Sequence, residues 1–296
     1  MSVRLGINPL TWTIDDLPEV GGETPLETCL AEAKAAGFEG VELGCKFPRT
    51  APELRAALAP HGLALVSGWC STNLLARDAE AEFEAMRPHR ELLAALGCKV
   101  VVVAETTRCI HGDRRARLSQ RPVLASADWP RFAERLEELG ARLADAGLTL
   151  AYHHHMGTVV QTEDEVDRLM DACDETVALL LDTGHLTFAG GDPVRAANRH
   201  AGRIAHVHCK DIRRPVLARS LNRDTSFLDA VLDGVFTVPG DGCVDYPAVL
   251  APIARAKYDG WLVVEAEQDP AVAPSAEYAG LGYRNLRRFA AGMIAA

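Results

Sequence analysis

Four clusters of carboxylate and imidazole side chains each follow a short apolar run. They are His153-His154-His155, Asp182-Thr183-Gly184-His185, His206-Val207-His208-Cys209-Lys210-Asp211 and Glu265-Ala266-Glu267. Carboxylate oxygens together with imidazole nitrogens suit Mn²⁺, Co²⁺, Fe²⁺ or Zn²⁺. The eight cysteines contain no C-x-x-C pair, which disfavours a thiolate zinc site. The residue types therefore point to a divalent metal and to proton transfer.

Each cluster also has a purely structural interpretation. The histidine triplet could be a polar exit from the core, and Asp182 could cap a helix. One ring of His206 and His208 could simply bond a carbonyl, and Glu265 with Glu267 could form a solvated edge. Together, however, several buried carboxylates and imidazoles are costly unless they are paired or hold a cation. The joint pattern favours a metal site.

An alternation of apolar runs and helical stretches positions these clusters. The predicted strands are residues 3–8, 40–43, 63–68, 99–104, 148–153, 177–182, 204–208 and 261–265. Strands separated by helices run parallel, with right-handed crossovers. Eight such units fit a closed barrel better than the alternative, an open doubly wound sheet, and no G-x-G-x-x-G follows the first run. We predict an α/β protein with one (β/α)₈ TIM-barrel domain over residues 1–296.

In such a barrel, the carboxyl ends of all strands meet at one mouth. Polar or aromatic residues also lie at or just after the ends of the first four predicted strands: Asn8, Trp12, Glu42, Lys46, Trp69 and Glu105. Trp12 and Trp69 could form an apolar wall against a substrate, although core packing is an equal alternative. Two long segments, residues 106–127 and 213–239, should extend over the mouth and cover it.

Composition narrows the partners. The chain has 296 residues and a net charge of −10, with no basic cluster, so we expect no nucleic-acid partner. The N-terminus lacks the apolar stretch of a secretory signal, and the apolar runs are too short for a membrane span. We interpret the eight scattered cysteines as reduced thiols in a cytoplasmic protein, with Cys45 and Cys209 as packing residues. A homo-oligomer is left open.

Phrases spread over nearly the whole chain resemble a known family. They include GINPLTWT from Gly6, YHHHMGTVVQ from Tyr152, LLLDTGH from Leu179, FTVPGDG from Phe236 and GWLVVEAEQDP from Gly260. The strand-end set resembles the xylose isomerase-like barrels, and within them the inosose dehydratase family. The histidine triplet with MGTVVQ and the phrase EAEQDP are the more specific motifs.

The resemblance implies a four-ligand metal site with one ligand from each of the last four strands. Carried over, these are His153, Asp182, His208 and Glu265. The family's usual glutamate on the fifth strand is replaced by histidine, so His154, His155 or a water remains an alternative fourth ligand. The resemblance implies Mn²⁺ or Co²⁺, with Zn²⁺ also compatible, and it implies glutathione as a further cofactor.

The implied reaction removes water from 2-keto-myo-inositol (scyllo-inosose), a small polyol ketone, during inositol catabolism, and gives a trihydroxycyclohexane-dione. It needs a base, an acid and an electrophile at the ketone. The candidate residues for proton transfer or hydrogen bonding are His153, His154, His155, His185, Glu105, Glu267, Lys46 and Lys210. Base and acid are not assigned individually. A sugar isomerase or epimerase of the same superfamily is the alternative, followed by a non-catalytic binding protein and a metal-dependent endonuclease.

Overall fold

Eight parallel strands form a closed barrel in the computed structural model, which describes residues 3–294. In chain order, the eight barrel strands and two short strands outside the barrel are β1 (Arg4–Ile7), β2 (Gly40–Leu43), β3 (Ala64–Thr72), β4 (Val100–Glu105), β5 (Thr149–His153), β6 (Val177–Asp182), β7 (Ile204–Cys209), β8 (Asp211–Ile212), β9 (Phe236–Thr237) and β10 (Trp261–Val264). The barrel order is β1-β10-β7-β6-β5-β4-β3-β2, while β8 and β9 form a separate antiparallel pair. The predicted (β/α)₈ fold is confirmed, and the closure rules out the open-sheet alternative.

Helices surround the barrel between successive strands. They are α1 (Leu26–Ala36), α2 (Ala51–Leu58), α3 (Ala79–Ala85), α4 (Arg87–Ala95), α5 (Trp129–Asp145), α6 (Glu163–Ala172), α7 (Thr183–Phe188), α8 (Pro193–His200), α9 (Arg214–Arg223), α10 (Phe227–Leu232), α11 (Tyr246–Arg255) and α12 (Ser275–Phe289). In α5, Phe132, Leu136, Leu139 and Leu143 recur at helical spacing and are all buried. The apolar stripe of such a helix holds it against the outside of the barrel.

Strand ends differ from the predicted ones by a few residues. β2 and β6 have the predicted bounds, and β5 begins one residue later than predicted but ends at His153 as expected. β3 runs to Thr72, four residues past the predicted end at Gly68, because residues 69–72 pair with residues 102–105 of β4. The polar residues that follow the strands thus meet at one mouth.

A second apolar cluster lies apart from the main core and includes residues of the loops that follow β1 and β5. Ile14, Met156, Phe188, Phe227 and Phe236 are among its buried members. Residues 213–239, expected as a long covering loop, instead fold into α9, α10 and β9. Phe227 and Phe236 of this insertion pack in the second apolar cluster, whereas the segment 106–127 contains the short 3₁₀ turn Leu118–Gln120.

None of the helices in residues 3–294 combines the length and the apolar character that crossing a bilayer needs. The barrel accounts for the described chain as one unit. Met1, Ser2, Ala295 and Ala296 of the predicted domain lie outside the described residues.

Candidate metal centre and active site

Four buried side chains converge where β5, β6, β7 and β10 reach the mouth. They are His153, Asp182, His208 and Glu265, and one ligand atom from each lies within 4.8 Å of the others. The strand register brings them together, because Asp182 pairs with His208 across β6 and β7. His208 also pairs with Val263 on β10, two residues before Glu265. The four residues that the resemblance implied as ligands therefore share one point in space.

Unsatisfied polar atoms face this point. Asp182 Oδ1 accepts a hydrogen bond from the amide of His185 at 2.7 Å. The other oxygen, Oδ2, is buried with no hydrogen-bond partner among residues 3–294, and His208 Nδ1 makes no well-aligned hydrogen bond there, although Glu265 Oε2 lies 2.9 Å away. Such atoms are costly to bury unless something pairs with them.

The distances between the donor atoms fit a divalent ion. Asp182 Oδ2 lies 3.6 Å from His153 Nε2 and 3.5 Å from His208 Nδ1, while His208 Nδ1 lies 2.9 Å from Glu265 Oε2. Ligands of a tetrahedral zinc-like ion at about 2.1 Å would be about 3.4 Å apart. Two of the three separations match within a few tenths of an ångström, and the third would have to widen.

Hydrogen bonds orient both imidazoles toward the cluster centre. His153 Nδ1 donates to the carbonyl of His154 at 2.7 Å, which leaves the Nε2 lone pair facing Asp182. His208 Nε2 lies 3.3 Å from the Glu42 carboxylate, which leaves Nδ1 facing the cluster. Partners of this kind fix the tautomer of a metal-binding histidine. Burial holds the pKa of His153 well below its ordinary value, with the charge of His208 acting in the same direction.

Glu42, from the end of β2, connects several of these groups. Its carboxylate accepts from His206 Nε2 at 2.8 Å and from Asn8 Nδ2 at 2.7 Å, in addition to His208. Asn8 Nδ2 also donates to Glu265 Oε2 at 3.0 Å. Burial opposes the charge of Glu42, but His208 and His206 outweigh it and hold its pKa below the usual range. Sequence reasoning noted Glu42 only as a polar strand end and missed this orienting position.

A buried lysine occupies the side of the cluster next to β7. Lys210 Nζ lies 2.8 Å from Glu267 Oε2, 2.5 Å from Glu265 Oε1 and 3.0 Å from His185 Nε2. Gly184 makes room for it, since a Cβ there would collide with the lysine side chain. Burial raises the pKa of Glu267 to about 7, although Lys210 acts in the opposite direction. Glu267 is thus suited to exchange a proton near neutral pH.

The cluster forms one end of a cavity of about 300 Å³. The polar residues around the cluster that line this cavity are His153, His155, His208, Glu265 and Glu267. Trp69 and Val102 contribute apolar surface. Further polar lining comes from Asp15, Asp16, Arg49 and His111. The Trp69 ring meets His153 and His155 edge-on at centroid distances of 5.4 and 5.3 Å. Trp69 therefore occupies the wall position that the sequence suggested for it.

His155 presents one nitrogen for chemistry. Its Nδ1 donates to the carbonyl of Met156 at 2.8 Å, so Nε2 is the acceptor. The ring lies 3.9 Å, centroid to centroid, from the ring of His185. Burial keeps the pKa of His155 well below its ordinary value, and the charges of His111 and Lys210 add to this effect. His185 itself contacts Lys210 but does not line the cavity.

Two predicted catalytic residues do not reach the cavity. His154 alternates to the other side of the chain, where its Nε2 accepts from the amide of Asp182 at 3.3 Å. Glu105 accepts from the amides of Leu74 at 2.6 Å and Thr107 at 2.9 Å. Both are tied to neighbouring backbone, and neither lines the cavity.

Lys46 and Trp12 are also held elsewhere. Lys46 Nζ donates to the carbonyls of Gly22 at 2.7 Å and Gly21 at 3.2 Å, and to that of Thr24. Trp12 is buried, and its Nε1 donates to Glu32 at 2.6 Å. Lys46 stabilises the loop after β1, and Trp12 belongs to the core rather than to the cavity wall.

Among the lining residues that sequence reasoning missed, four carry a carboxylate, guanidinium or imidazole group. Asp15 and Asp16 lie after β1, Arg49 after β2, and His111 in the segment after β4 that was expected to cover the mouth. No strand ends beside them, so the position rule that identified the other residues could not find them.

Comparison with known proteins places the fold and the site in context. The sequence pattern of the xylose isomerase-like TIM barrel family matches residues 30–289. The chain is 52% identical to the rhizopine catabolism protein MocC of Rhizobium meliloti, over 98% of this chain and 90% of that protein. It is 46% identical to the inosose dehydratase of Geobacillus thermodenitrificans, over 94% of each.

Among solved structures, the IolI protein with a bound zinc atom superposes with a TM-score of 0.67 at 17% identity. The superposition covers 99% of this chain and 100% of that one. At this identity the likeness concerns the fold alone.

Proposed function

This chain belongs to the xylose isomerase-like TIM barrel family and to its branch of inosose dehydratase relatives, and on that premise we propose its reaction. It is a metal-dependent hydro-lyase that removes water from 2-keto-myo-inositol (scyllo-inosose) and gives a trihydroxycyclohexane-1,2-dione. The observation that carries the proposal is the buried cluster of His153, Asp182, His208 and Glu265 at the end of a substrate-sized cavity.

These four residues would hold the ion, and their donor set suits Mn²⁺ or Co²⁺, with Zn²⁺ also compatible. A divalent ion bound there would supply an electrophile for the ketone oxygen. Asp182 and Glu265 carry two negative charges, which balance those of the ion. His153 is neutral, whereas the resemblance implies a glutamate at this position, so a bound ion would keep more of its positive charge for polarising the ketone.

Elimination of water needs one proton removed beside the ketone and one delivered to the departing hydroxyl. Glu267 and His155 are the two proton-transfer groups of the predicted set that line the cavity without belonging to the proposed ligands. Glu267 is positioned by Lys210 at 2.8 Å, and His155 by the carbonyl of Met156 at 2.8 Å. We assign the two proton transfers to this pair, and His185 to positioning Lys210.

The cavity suits an uncharged polyol ring. At about 300 Å³ it lies at the small end of ligand-binding sites, which fits one six-membered ring and not a dinucleotide. Carboxylates dominate its charged lining, so a phosphorylated sugar would be repelled, whereas hydroxyl groups find many acceptors. The face of Trp69 offers apolar surface to the C–H side of the ring.

Glutathione, which the resemblance also implied, has no part in the proposed steps. Loss of water changes no overall oxidation state and needs neither a thiol nor a reductant. All eight cysteines are free, which agrees with a reducing compartment, and we propose the cytoplasm.

The experiment is to strip the metal, restore Mn²⁺, Co²⁺ or Zn²⁺ separately, and follow dione formation from scyllo-inosose. In deuterated buffer, the variant that lacks the acid should still exchange the proton beside the ketone, whereas the variant that lacks the base should not. Glu267→Gln and His155→Gln therefore separate the two roles. Turnover of ketohexoses in preference to scyllo-inosose would instead establish an isomerase or epimerase.

A further inference from the structure

His111 is a cavity residue that neither the strand pattern nor the proposed proton transfers use. It lies in the segment between β4 and α5, and its side chain is only 13% exposed. Its ring meets His155 at a centroid distance of 4.9 Å and Trp69 at 6.1 Å. His155, Trp69 and His111 all line the cavity, so His111 continues the wall that the other two rings form.

Neither ring nitrogen of His111 makes a hydrogen bond within residues 3–294. Its Nδ1 is buried with no hydrogen-bond partner in the described part of the chain. Its Nε2 lies 3.9 Å from Asp16 Oδ2, which is too long for a hydrogen bond. Burial lowers the pKa of His111, with Asp16 acting in the opposite direction, so the ring is neutral at pH 7. A neutral imidazole can both donate to and accept from hydroxyl groups.

The backbone holds this loop against the segment that follows the histidine triplet. The amide of Ile110 donates to the carbonyl of Gly157 at 2.9 Å. A Cβ on Gly157 would lie 2.8 Å from His111 N and 3.2 Å from His111 Cα. Gly157 thus makes room for the loop to approach, and any side chain there would push His111 out of the wall.

The outer part of the loop is fixed independently. Ser119 Oγ donates to Asp224 at 2.6 Å, and Arg114 Nε donates to Asp229 at 2.7 Å. These contacts attach the loop to α10 and to the end of α9. The position of His111 is therefore set from both sides, as a binding group requires.

We infer that His111 is a substrate-binding residue, which hydrogen-bonds a hydroxyl of the polyol ring beside the rings of His155 and Trp69. The inference rests on the proposed function for the identity of the substrate. It assigns His111 binding and orientation, and it leaves the proton transfers to other residues.

The test measures kcat/KM for scyllo-inosose and the Kd of myo-inositol, a polyol without the ketone, on Mn²⁺-loaded enzyme. For His111→Ala we expect kcat/KM to fall and Kd to rise, each about three- to tenfold, because one hydrogen bond between uncharged groups is lost. The metal content should not change. His111→Gln, which keeps a donor and an acceptor, should recover part of the loss. His61→Ala, on a surface helix before β3, is the control and should match the parent.

A second variant tests the loop rather than the imidazole. Gly157→Ala should weaken myo-inositol binding as His111→Ala does, and combining the two should add little. Gly147→Ala is the matched control, because Gly147 has φ +77° against +76° for Gly157 but nothing within 4 Å of its Cβ position. Loss of binding in Gly147→Ala as well would show general backbone strain and overturn the loop argument.

The outcomes separate the two proposals. Parent-like affinity for myo-inositol in His111→Ala, or no binding by the parent, overturns the role of His111. If the parent binds myo-inositol through His111 but does not dehydrate scyllo-inosose, the proposed function fails and the binding role stands.

Discussion

Asp182→Asn tests the metal site with little change in shape. The asparagine carbonyl can keep the bond to the His185 amide that Asp182 Oδ1 makes at 2.7 Å. Its NH₂ group replaces Oδ2, which lies 3.5 Å from His208 Nδ1 and 3.6 Å from His153 Nε2. The variant should therefore fold without the ion, yet lose one of two anionic ligands.

The expected shift in Tm on metal binding follows from the linkage between binding and stability. An ion at about 1,000 times its Kd stabilises the parent by about 4.1 kcal/mol. For a chain of this length, that free energy raises Tm by about 8 °C, at about 2 °C per kcal/mol. Loss of a group that only orients a ligand weakens metal binding about 10- to 100-fold, so loss of a ligand should exceed that. At the same ion concentration the variant should gain at most about 1.4 kcal/mol, or about 3 °C.

Calorimetry of chelated protein titrated with Mn²⁺ measures these shifts, and metal analysis checks the content. Asp192→Asn is the matched control, because Asp192 also caps a helix, accepting from the amide of Val194 at 2.8 Å, but lies outside the cluster. It should show the full shift of the parent. The ligand assignment is refuted if Asp182→Asn gains as much Tm as the parent and binds Mn²⁺ as tightly.

Three further variants test the contacts around the site. Glu42→Gln removes the carboxylate that faces His208 Nε2 and should weaken Mn²⁺ binding about 10- to 100-fold by calorimetric titration, whereas unchanged affinity would contradict its orienting role. Lys46→Met should lower Tm but reduce kcat/KM less than tenfold, since the hydrogen bonds of Lys46 in the structure go to backbone carbonyls. A loss of about 10²-fold or more in kcat/KM would show that Lys46 takes part in catalysis. Burial lowers the pKa of His154 to about 4, so the unfolded chain takes up a proton before the folded one as pH falls. The neutral, buried His154 therefore contributes to the free energy of unfolding above about pH 6.5. About 3 kcal/mol of this contribution is lost as the pH falls to 4. His154→Gln should flatten this dependence in urea unfolding at pH 7.5 and 4.5, and a parent-like dependence in the variant would contradict the assignment to His154.

The barrel and the centre of the site could be predicted because both follow from periodicity. Apolar runs separated by helical stretches define parallel strands, and the residues that end those strands must share one mouth. The strand ends located the clusters that contain Asp182, His208 and Glu265, and the family resemblance then implied these three residues as ligands. The choice within the histidine triplet follows from the strand's alternation: Tyr152 packs against Phe132 of α5, so His153 turns inward.

The rest depended on contacts between segments distant in sequence. Glu105 ends β4 and Lys46 follows β2, but their hydrogen-bond partners are backbone groups of neighbouring loops. No local sequence pattern specifies these partners. His111 reached the cavity only because its loop docks on Gly157. A strand-end position indicates which side chains can reach the mouth, and the loops decide which of them do.

Charge balance links the ion to the proton on Glu267. The buried carboxylates at the cluster belong to Glu42, Asp182, Glu265 and Glu267, and the buried lysine is Lys210. A divalent ion and Lys210 would together supply three positive charges, which balance three ionised carboxylates. Ionisation of the fourth carboxylate, Glu267, would leave one negative charge without a partner. Because uncompensated charge is costly in a buried site, the balanced state keeps a proton on Glu267. The same balance lets that proton leave when a departing hydroxyl takes it, since Lys210 already contacts the resulting carboxylate at 2.8 Å.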